Sequence, residues 1–359
     1  DSKMYNKKVI IKKINPCEYN VTLDPSELHV PNEDFVLEYE IDEECLKKPQ
    51  MILESHPKYK NDYCFYYSFN PTLTINDKID ENILKNPIKE DFKGNFIFLI
   101  DRSGSMYGNR INMAKQSLIY FLKSLQENGS KFNIIWFGSE FYSIFERNKL
   151  VNDTNINEAL ELVMKFDANM GGTEIKQALE HIENELIEKD LLNRIFVMTD
   201  GDVWDVYECL EVSKRIAHNP NFDCKLYSLG IGNGCSESLV RGIAKEGEGD
   251  CELVKNEEDI SDKIIYLLES SMSYCLDNFS LILKNDNASI IKKCESSSKF
   301  NRNIEFYALL DDPSLLKSNS IICSFSFNDK EYNIEKEIDL NKAVISDRLH
   351  KIFLKRIED

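Results

Sequence analysis

The chain has 359 residues, 42% of them hydrophobic and 30% charged, with a formal net charge of −18. That length calls for two or three domains, and the composition is an ordinary globular one. So acidic a chain, with nothing basic beyond short lysine pairs, excludes attraction to nucleic acid or an anionic membrane surface; cationic partners, metal ions included, fit better.

No run of 18 apolar residues occurs, so no membrane-spanning helix is expected. The chain opens at Asp1 with no apolar leader, which suggests an excised or processed fragment. Ten cysteines stand at positions 17, 45, 64, 209, 224, 235, 251, 275, 294 and 323, none in a CxxC pair and none clustered with the five histidines. That pattern argues against zinc or iron–sulfur sites. It favours thiols over disulfides and a cytoplasmic over a secreted location.

In chain order, residues 1–92 read as a β-rich segment. "KKVIIKKI", "DFVLEYEI" and "YCFYYSF" are rich in β-branched and aromatic residues, and Pro, Asn and Asp stretches separate them. The pattern changes at Gly94. "NFIFLI" is an apolar strand with no polar face, as expected of one covered on both sides. Ile111, Ala114, Leu118, Phe121 or Leu122, and Leu125 then fall at helical spacing. Strand "KFNIIWFGS" and its short partner "FYSIF" follow, then helices "NINEALELVMKF" and "TEIKQALEHIENELIEK". "RIFVMTD" is a second all-apolar strand. Helix "VYECLEVSKRIA", strand "CKLYSLGIG", helix "SESLVRGIAKEG", strand "CELV" and helix "DISDKIIYLLESSMSYC" complete residues 93–275. Alternation of this kind means an α/β domain with a doubly wound, mostly parallel, Rossmann-like sheet.

Residues 276–343 return to strands: "FSLILK", "IEFYALL", "IICSFSF" and "EYNIEKEIDL". The two β-rich segments, each too small for a large core, are expected to pack together as a small β-sandwich-like domain into which the α/β domain is inserted. Residues 344–359 carry Ile345, Leu349, Ile352, Phe353 and Ile357 as an amphipathic helical stripe.

In an open parallel sheet, ligands bind at the carboxyl ends of the strands. Asp101 ends the first all-apolar strand and Asp200 ends the second. Ser103 and Ser105 follow Asp101 at alternate positions. Thr173 opens a helix after two glycines. Together these supply two carboxylates and three hydroxyls. Such an all-oxygen set suits a hard divalent cation; Mg²⁺ takes six oxygens at about 2.0–2.1 Å and commonly uses one or two carboxylates. Mn²⁺ and Ca²⁺ are the alternatives. So few charged ligands leave the metal electrophilic and open to a carboxylate from outside.

"FIFLIDRSGSM", "GGTEI" and "FVMTDGD", at these separations, resemble a von Willebrand factor type A domain with an intact metal-ion-dependent adhesion site. "RIFVMTDGDV", "YSLGIG", "LVRGIAKEGEG" and "EFYALL", in that order, are similar to the subfamily in which a vault/inter-alpha-trypsin domain precedes the type A domain. That group includes the inter-alpha-trypsin inhibitor heavy chains and the vault-associated poly(ADP-ribose) polymerase. The resemblance implies that Asp101, Ser103, Ser105, Thr173 and Asp200 hold the metal. It also implies a binding role, with a protein partner offering Asp or Glu.

Met106, Tyr107, Met170, Val203 and Trp204 lie in loops around that site and are the candidate rim for a partner. Asp202 is read as favouring a helix N-terminus, His181 as surface, and "EGEGDCELVKNEED" as a solvated face. Three functions compete. The first is a metal-dependent protein-binding module. The second is a scaffold with a stabilising metal. The third is an Mg²⁺-dependent phosphohydrolase, disfavoured because no P-loop, HExxH, GxSxG or apparent general base accompanies the site. The oligomeric state has no signature in the sequence.

Overall fold

The computed structural model describes residues 9–15, 18–23, 49–59, 63–70, 92–201, 203, 205–255, 260–273, 277–283, 290–296, 304–310, 320–327, 330–337 and 343–352. It divides into two compact units, one from Asn86–Tyr274 and one from Asp1–Lys85 with Cys275–Asp359.

The second unit is β-rich. Its first strands are β1 (Val9–Asn15), β2 (Glu18–Leu23), β3 (Gln50–Ser55) and β4 (Tyr63–Phe69).

The Asn86–Tyr274 unit follows in the chain. Its strands are β5 (Gly94–Asp101), β6 (Lys131–Phe137), β7 (Phe141–Ser143), β8 (Lys149–Leu150), β9 (Leu192–Thr199), β10 (Cys224–Ile231) and β11 (Glu248–Val254). Its helices are α1 (Asn109–Ser124), α2 (Asp153–Val163), α3 (Ile175–His181), α4 (Val206–Ala217), α5 (Glu237–Glu246) and α6 (Ile260–Met272). The sheet order is β11-β10-β9-β5-β6-β7, with β8 also on β6. All pairs from β11 to β6 are parallel, and β7 and β8 add antiparallel edges.

Every residue of β5 is buried, which explains the absence of a polar face in "NFIFLI". Its side chains alternate between two cores. Phe96, Phe98 and Ile100 meet the residues of α1, α2 and α6. Ile97 and Leu99 meet those of α3, α4 and α5. The result is the expected three-layer α/β arrangement. At the centre of the first core, Phe98, Phe121 and Phe196 pack with centroids 4.7–5.5 Å apart. Truncating Phe98 to alanine would cost about 3–5 kcal/mol. From β5 the chain turns into α1 on one face; from β9 it turns into α4 on the other. The crevice between the carboxyl ends of β5 and β9 is thus the switch point of the sheet.

Several expectations change in detail. The long third helix is shorter: α3 gives way to one π-helical turn, Ile182–Leu186. The acidic run is no solvated face throughout. Half of it is β11, where Asp250 is buried and accepts hydrogen bonds from Tyr266 (3.0 Å) and Ser270 (2.7 Å). His181 is half-buried, its ring 4.9 Å from that of Phe141.

The β-rich unit continues with β12 (Asp277–Leu283), β13 (Ile290–Ser296), β14 (Ile304–Leu310), β15 (Ser320–Phe327), β16 (Lys330–Glu337) and β17 (Val344–Ile345). Strands from both ends of the chain share one sheet, β13-β14-β4-β3-β17, in which β4 pairs antiparallel with β14. Phe69 stacks on Phe325 at 5.7 Å. Residues 344–345 are strand, not helix, and Ile345 is exposed. The helix covers 348–352, its start held by Glu54, whose carboxylate accepts from the backbone N–H of Leu349 (3.1 Å) and His350 (3.3 Å). The segments "DFVLEYEI" and 353–359 lie outside the described residues. Cys64, Cys209, Cys224, Cys235, Cys251 and Cys323 are in no disulfide. Among the described residues, no helix is long and apolar enough to cross a membrane.

Candidate metal centre

Three loops meet at the crevice and are laced together through their backbones. The first leaves β5, the second leaves β6, and the third runs from Phe166 to Glu174. Arg102 N–H donates to Phe137 O (2.8 Å), Ser139 N–H to Met170 O (2.7 Å), Met170 N–H to Arg102 O (3.1 Å) and Gly104 N–H to Gly171 O (2.8 Å). Gly171 has φ +77°, a conformation that favours glycine, and its carbonyl faces the serine turn. The Arg102 side chain secures the third loop. Its guanidinium lies 4.6 Å over the Phe166 ring and donates to Asp167 O (2.9 Å) and Asn169 Oδ1 (2.8 Å).

Within this frame the polar side chains form one chain. Asp101 and Asp200 are buried, 0% and 2% exposed. Ser103 N–H donates to Asp101 Oδ1 at 2.8 Å, and Thr199 Oγ1 donates to Asp101 Oδ2 at 2.6 Å. The hydroxyls of Ser103 and Ser105 lie 2.9 Å apart, and Ser105 Oγ donates to Asp200 Oδ1 at 3.0 Å. Arg110 Nη1 pairs with Asp200 Oδ2 at 2.7 Å. Asp101, Ser103, Ser105 and Asp200 therefore sit together. Thr173 is half-buried, two residues beyond the Gly171 contact with the serine turn.

Burial pushes the Asp101 carboxyl up to about 6, against hydrogen bonds from Ser103 and Thr199 that pull it down; the nearby Asp200 charge adds to the rise. A buried carboxylate at this height is one a bound cation would stabilise in its ionised form. Among the described residues no three His, Cys, Asp or Glu side chains gather for a metal. The candidate set has only two carboxylates and draws its remaining oxygens from hydroxyls. That all-oxygen chemistry fits a hard divalent cation and leaves out the soft metals.

The rim is partly different from the sequence reading. Tyr107 is 76% exposed. Met106 is fully buried in the first core, so it is no rim residue: the short 3-10 turn Gly104–Met106 points it inward. Met170 is half-buried and lines a cavity of about 500 Å³ with Arg102, Trp136, Glu140, Tyr142 and Asn169. Val203 is half-buried against the second core. Trp204 and Asp202 lie outside the described residues.

Two participants had no sequence signature. Thr199 is the residue before Asp200, yet it serves Asp101, 98 positions away. Arg110, the second residue of α1, reaches Asp200, 90 positions away. Their roles come from the adjacency of β5 and β9 and from the reach of α1 to the end of β9, which a single sequence does not spell out.

Residues 94–253 match the family model of the von Willebrand factor type A domain. A von Willebrand factor A domain-containing protein of Dictyostelium discoideum is 31% identical over 274 residues, 76% of this chain and 28% of that protein. The mouse (Mus musculus) von Willebrand factor A domain-containing protein 5B1 is 28% identical over 306 residues, 84% of this chain and 24% of that protein. The chain thus spans about a quarter of the length of these curated relatives. A solved structure, the von Willebrand factor type A protein from Catenulispora acidiphila, superposes with a TM-score of 0.56 over 84% of this chain and 77% of that one. At 13% identity that likeness concerns the fold.

Proposed function

This chain carries a von Willebrand factor type A domain at residues 94–253, and from that premise we propose that it is a divalent-metal-dependent protein-binding module. Domains of this family generally serve as protein-interaction modules and often bind a divalent metal. The observation that carries the reading is the buried Asp101–Ser103–Ser105–Asp200 cluster at the switch point of the sheet. Asp101, Ser103, Ser105, Thr173 and Asp200 would hold the cation, Mg²⁺ first, with Mn²⁺ or Ca²⁺ as alternatives. When bound it supplies a Lewis-acidic centre that accepts an Asp or Glu carboxylate from the partner.

The protein's own residues do the rest. Thr199 and the Ser103 N–H orient Asp101. Ser105 orients Asp200. Tyr107, Met170 and Trp204 are proposed to read the partner around the acidic residue, and the cavity beside Met170 offers room for a neighbouring side chain. The placement of the chain in the subfamily with a vault/inter-alpha-trypsin domain belongs to the same proposal; its support is the motif order given above. We read the chain as non-catalytic. Metal-dependent phosphoester turnover that Asp101→Ala abolishes would refute this.

Calorimetric titration with MgCl₂ and MnCl₂ tests the metal. Binding to the wild type that is lost in Asp101→Ala/Ser103→Ala is the expected result. Equal heats for both proteins would sink the site. A partner bound equally in Mg²⁺ and EDTA, with chelation lowering only stability, would favour the scaffold reading instead.

A further inference from the structure

We propose that Arg110 is a built-in counter-ion for Asp200 that competes with the metal and sets how tightly this site binds it; the inference rests on the metal reading above. Arg110 is the second residue of α1 and its side chain is one-third exposed, whereas Asp200 is 2% exposed. A buried carboxylate needs a partner. Asp200 has two: Ser105 Oγ donates to Oδ1 (3.0 Å) and the Arg110 guanidinium to Oδ2 (2.7 Å). One oxygen of Asp200 therefore faces the hydroxyl set, and the other faces a cation supplied by the chain.

The guanidinium is held in that place from three sides. Nη1 also donates to the Ser105 carbonyl at 3.0 Å, and Nη2 to the Asn233 carbonyl at 3.4 Å. The turn after β10 makes room for it. Gly232 there has φ +94°, and a Cβ at that position would lie 2.7 Å from Arg110 Nε. Arg110 thus ties the serine turn, the end of β9 and the turn after β10 to one charge.

Charge decides the consequence. Asp101 and Asp200 ionised, with Arg110, carry −1; without Arg110 they would carry −2. A dication placed among these groups meets a repulsive positive charge at Asp200 that no surface ion pair would impose. Arg110 accordingly stabilises the metal-free site and weakens metal binding, so the site fills and empties over a higher metal concentration than its oxygens alone would set. The two effects have one origin and must change together.

The test uses the full chain. Wild type, Arg110→Gln and Arg110→Met are titrated with MgCl₂ by calorimetry and melted in EDTA and in excess Mg²⁺. The glutamine variant is expected to bind Mg²⁺ about ten-fold more tightly, to melt several degrees lower in EDTA, and to gain more from added Mg²⁺ than the wild type does. Arg110→Met removes the charge but keeps an apolar stem, and gives the same result if the glutamine variant does not fold. Wild-type or weaker Mg²⁺ affinity in a folded variant overturns the proposal and leaves the metal reading intact. No Mg²⁺ binding by the wild type or either variant overturns both.

Discussion

The same two strands, β5 and β9, carry a polar cluster at each end, and the two clusters are built on opposite plans. At the amino end the paired residues are Asn95 and Asn193, both fully buried. Asn95 Nδ2 donates to Asn193 Oδ1 (2.9 Å) and Leu186 O (2.8 Å). Asn193 Nδ2 donates to the carbonyls of Glu188, Leu191 and Asp223 at 2.9–3.1 Å. Both amides are neutral and bind chiefly to main chain; Asn95 Oδ1 alone is left over. At the carboxyl end the groups are charged, and they bind to hydroxyls, one backbone N–H and one arginine. The first plan closes a structure. The second keeps oxygens and negative charge available to a cation. Burial alone does not separate them; the charge of the groups and the kind of partner they bind do.

The contrast can be broken by mutation, and the amide end should show the largest effect. Asn193→Ala leaves several carbonyls without donors and is expected to cost about 3 kcal/mol in urea denaturation, identically in Mg²⁺ and EDTA. A cost that depended on metal would show that the two ends are not independent.

The carboxyl end should answer to pH in a way the amide end does not. Burial raises the Asp101 carboxyl to about 6 from an ordinary 3.8. The folded chain then holds that proton more tightly than the unfolded one. In EDTA, wild-type stability relative to Asp101→Asn should fall as pH rises from about 4 to 6 and be flat above. At about 1.4 kcal/mol per pH unit the fall is up to ~3 kcal/mol. Excess Mg²⁺ should reverse the slope, because the ionised carboxylate is the ligand. A slope unchanged by Mg²⁺ would remove Asp101 from the metal site.

Thr199→Val sharpens the comparison on a smaller scale. It deletes the donor to Asp101 Oδ2 and the acceptor for Gly201 N–H (2.8 Å). The expected cost is about 1–2 kcal/mol in EDTA, together with weaker Mg²⁺ binding. The smallest effect on stability belongs to Tyr107→Ala, within about 0.5 kcal/mol, since the side chain is exposed. The same change should nevertheless weaken partner capture; unchanged capture would exclude Tyr107 from the interface.

The strands of the α/β unit were legible because the middles of β5 (Phe96–Ile100) and β9 (Ile195–Met198) are uniformly apolar, a pattern that burial on both faces imposes. Helix α4 coincides with "VYECLEVSKRIA", whose apolar residues recur at helical spacing. The proposed ligands could be read because strand ends are where chain and chemistry coincide. Other features could not. Met106 follows the serines directly, and nothing local says that its turn buries it. Asp250 sits in an acidic run yet is buried, because Tyr266 and Ser270 on α6 receive it. Ile345 fits a helical stripe but pairs with Ser55 in a strand. Each miss involves a partner far along the chain, beyond the reach of a local pattern.

The most direct test of the central claim is partner capture from lysate of the source cells. The wild-type chain is used in Mg²⁺ and in EDTA, beside Asp101→Ala/Ser103→Ala in Mg²⁺. A protein captured by the wild type in Mg²⁺ and by neither control is the predicted result, and it identifies the ligand. The same protein captured in all three would contradict metal-dependent binding and move the interface away from the carboxyl end of β5 and β9.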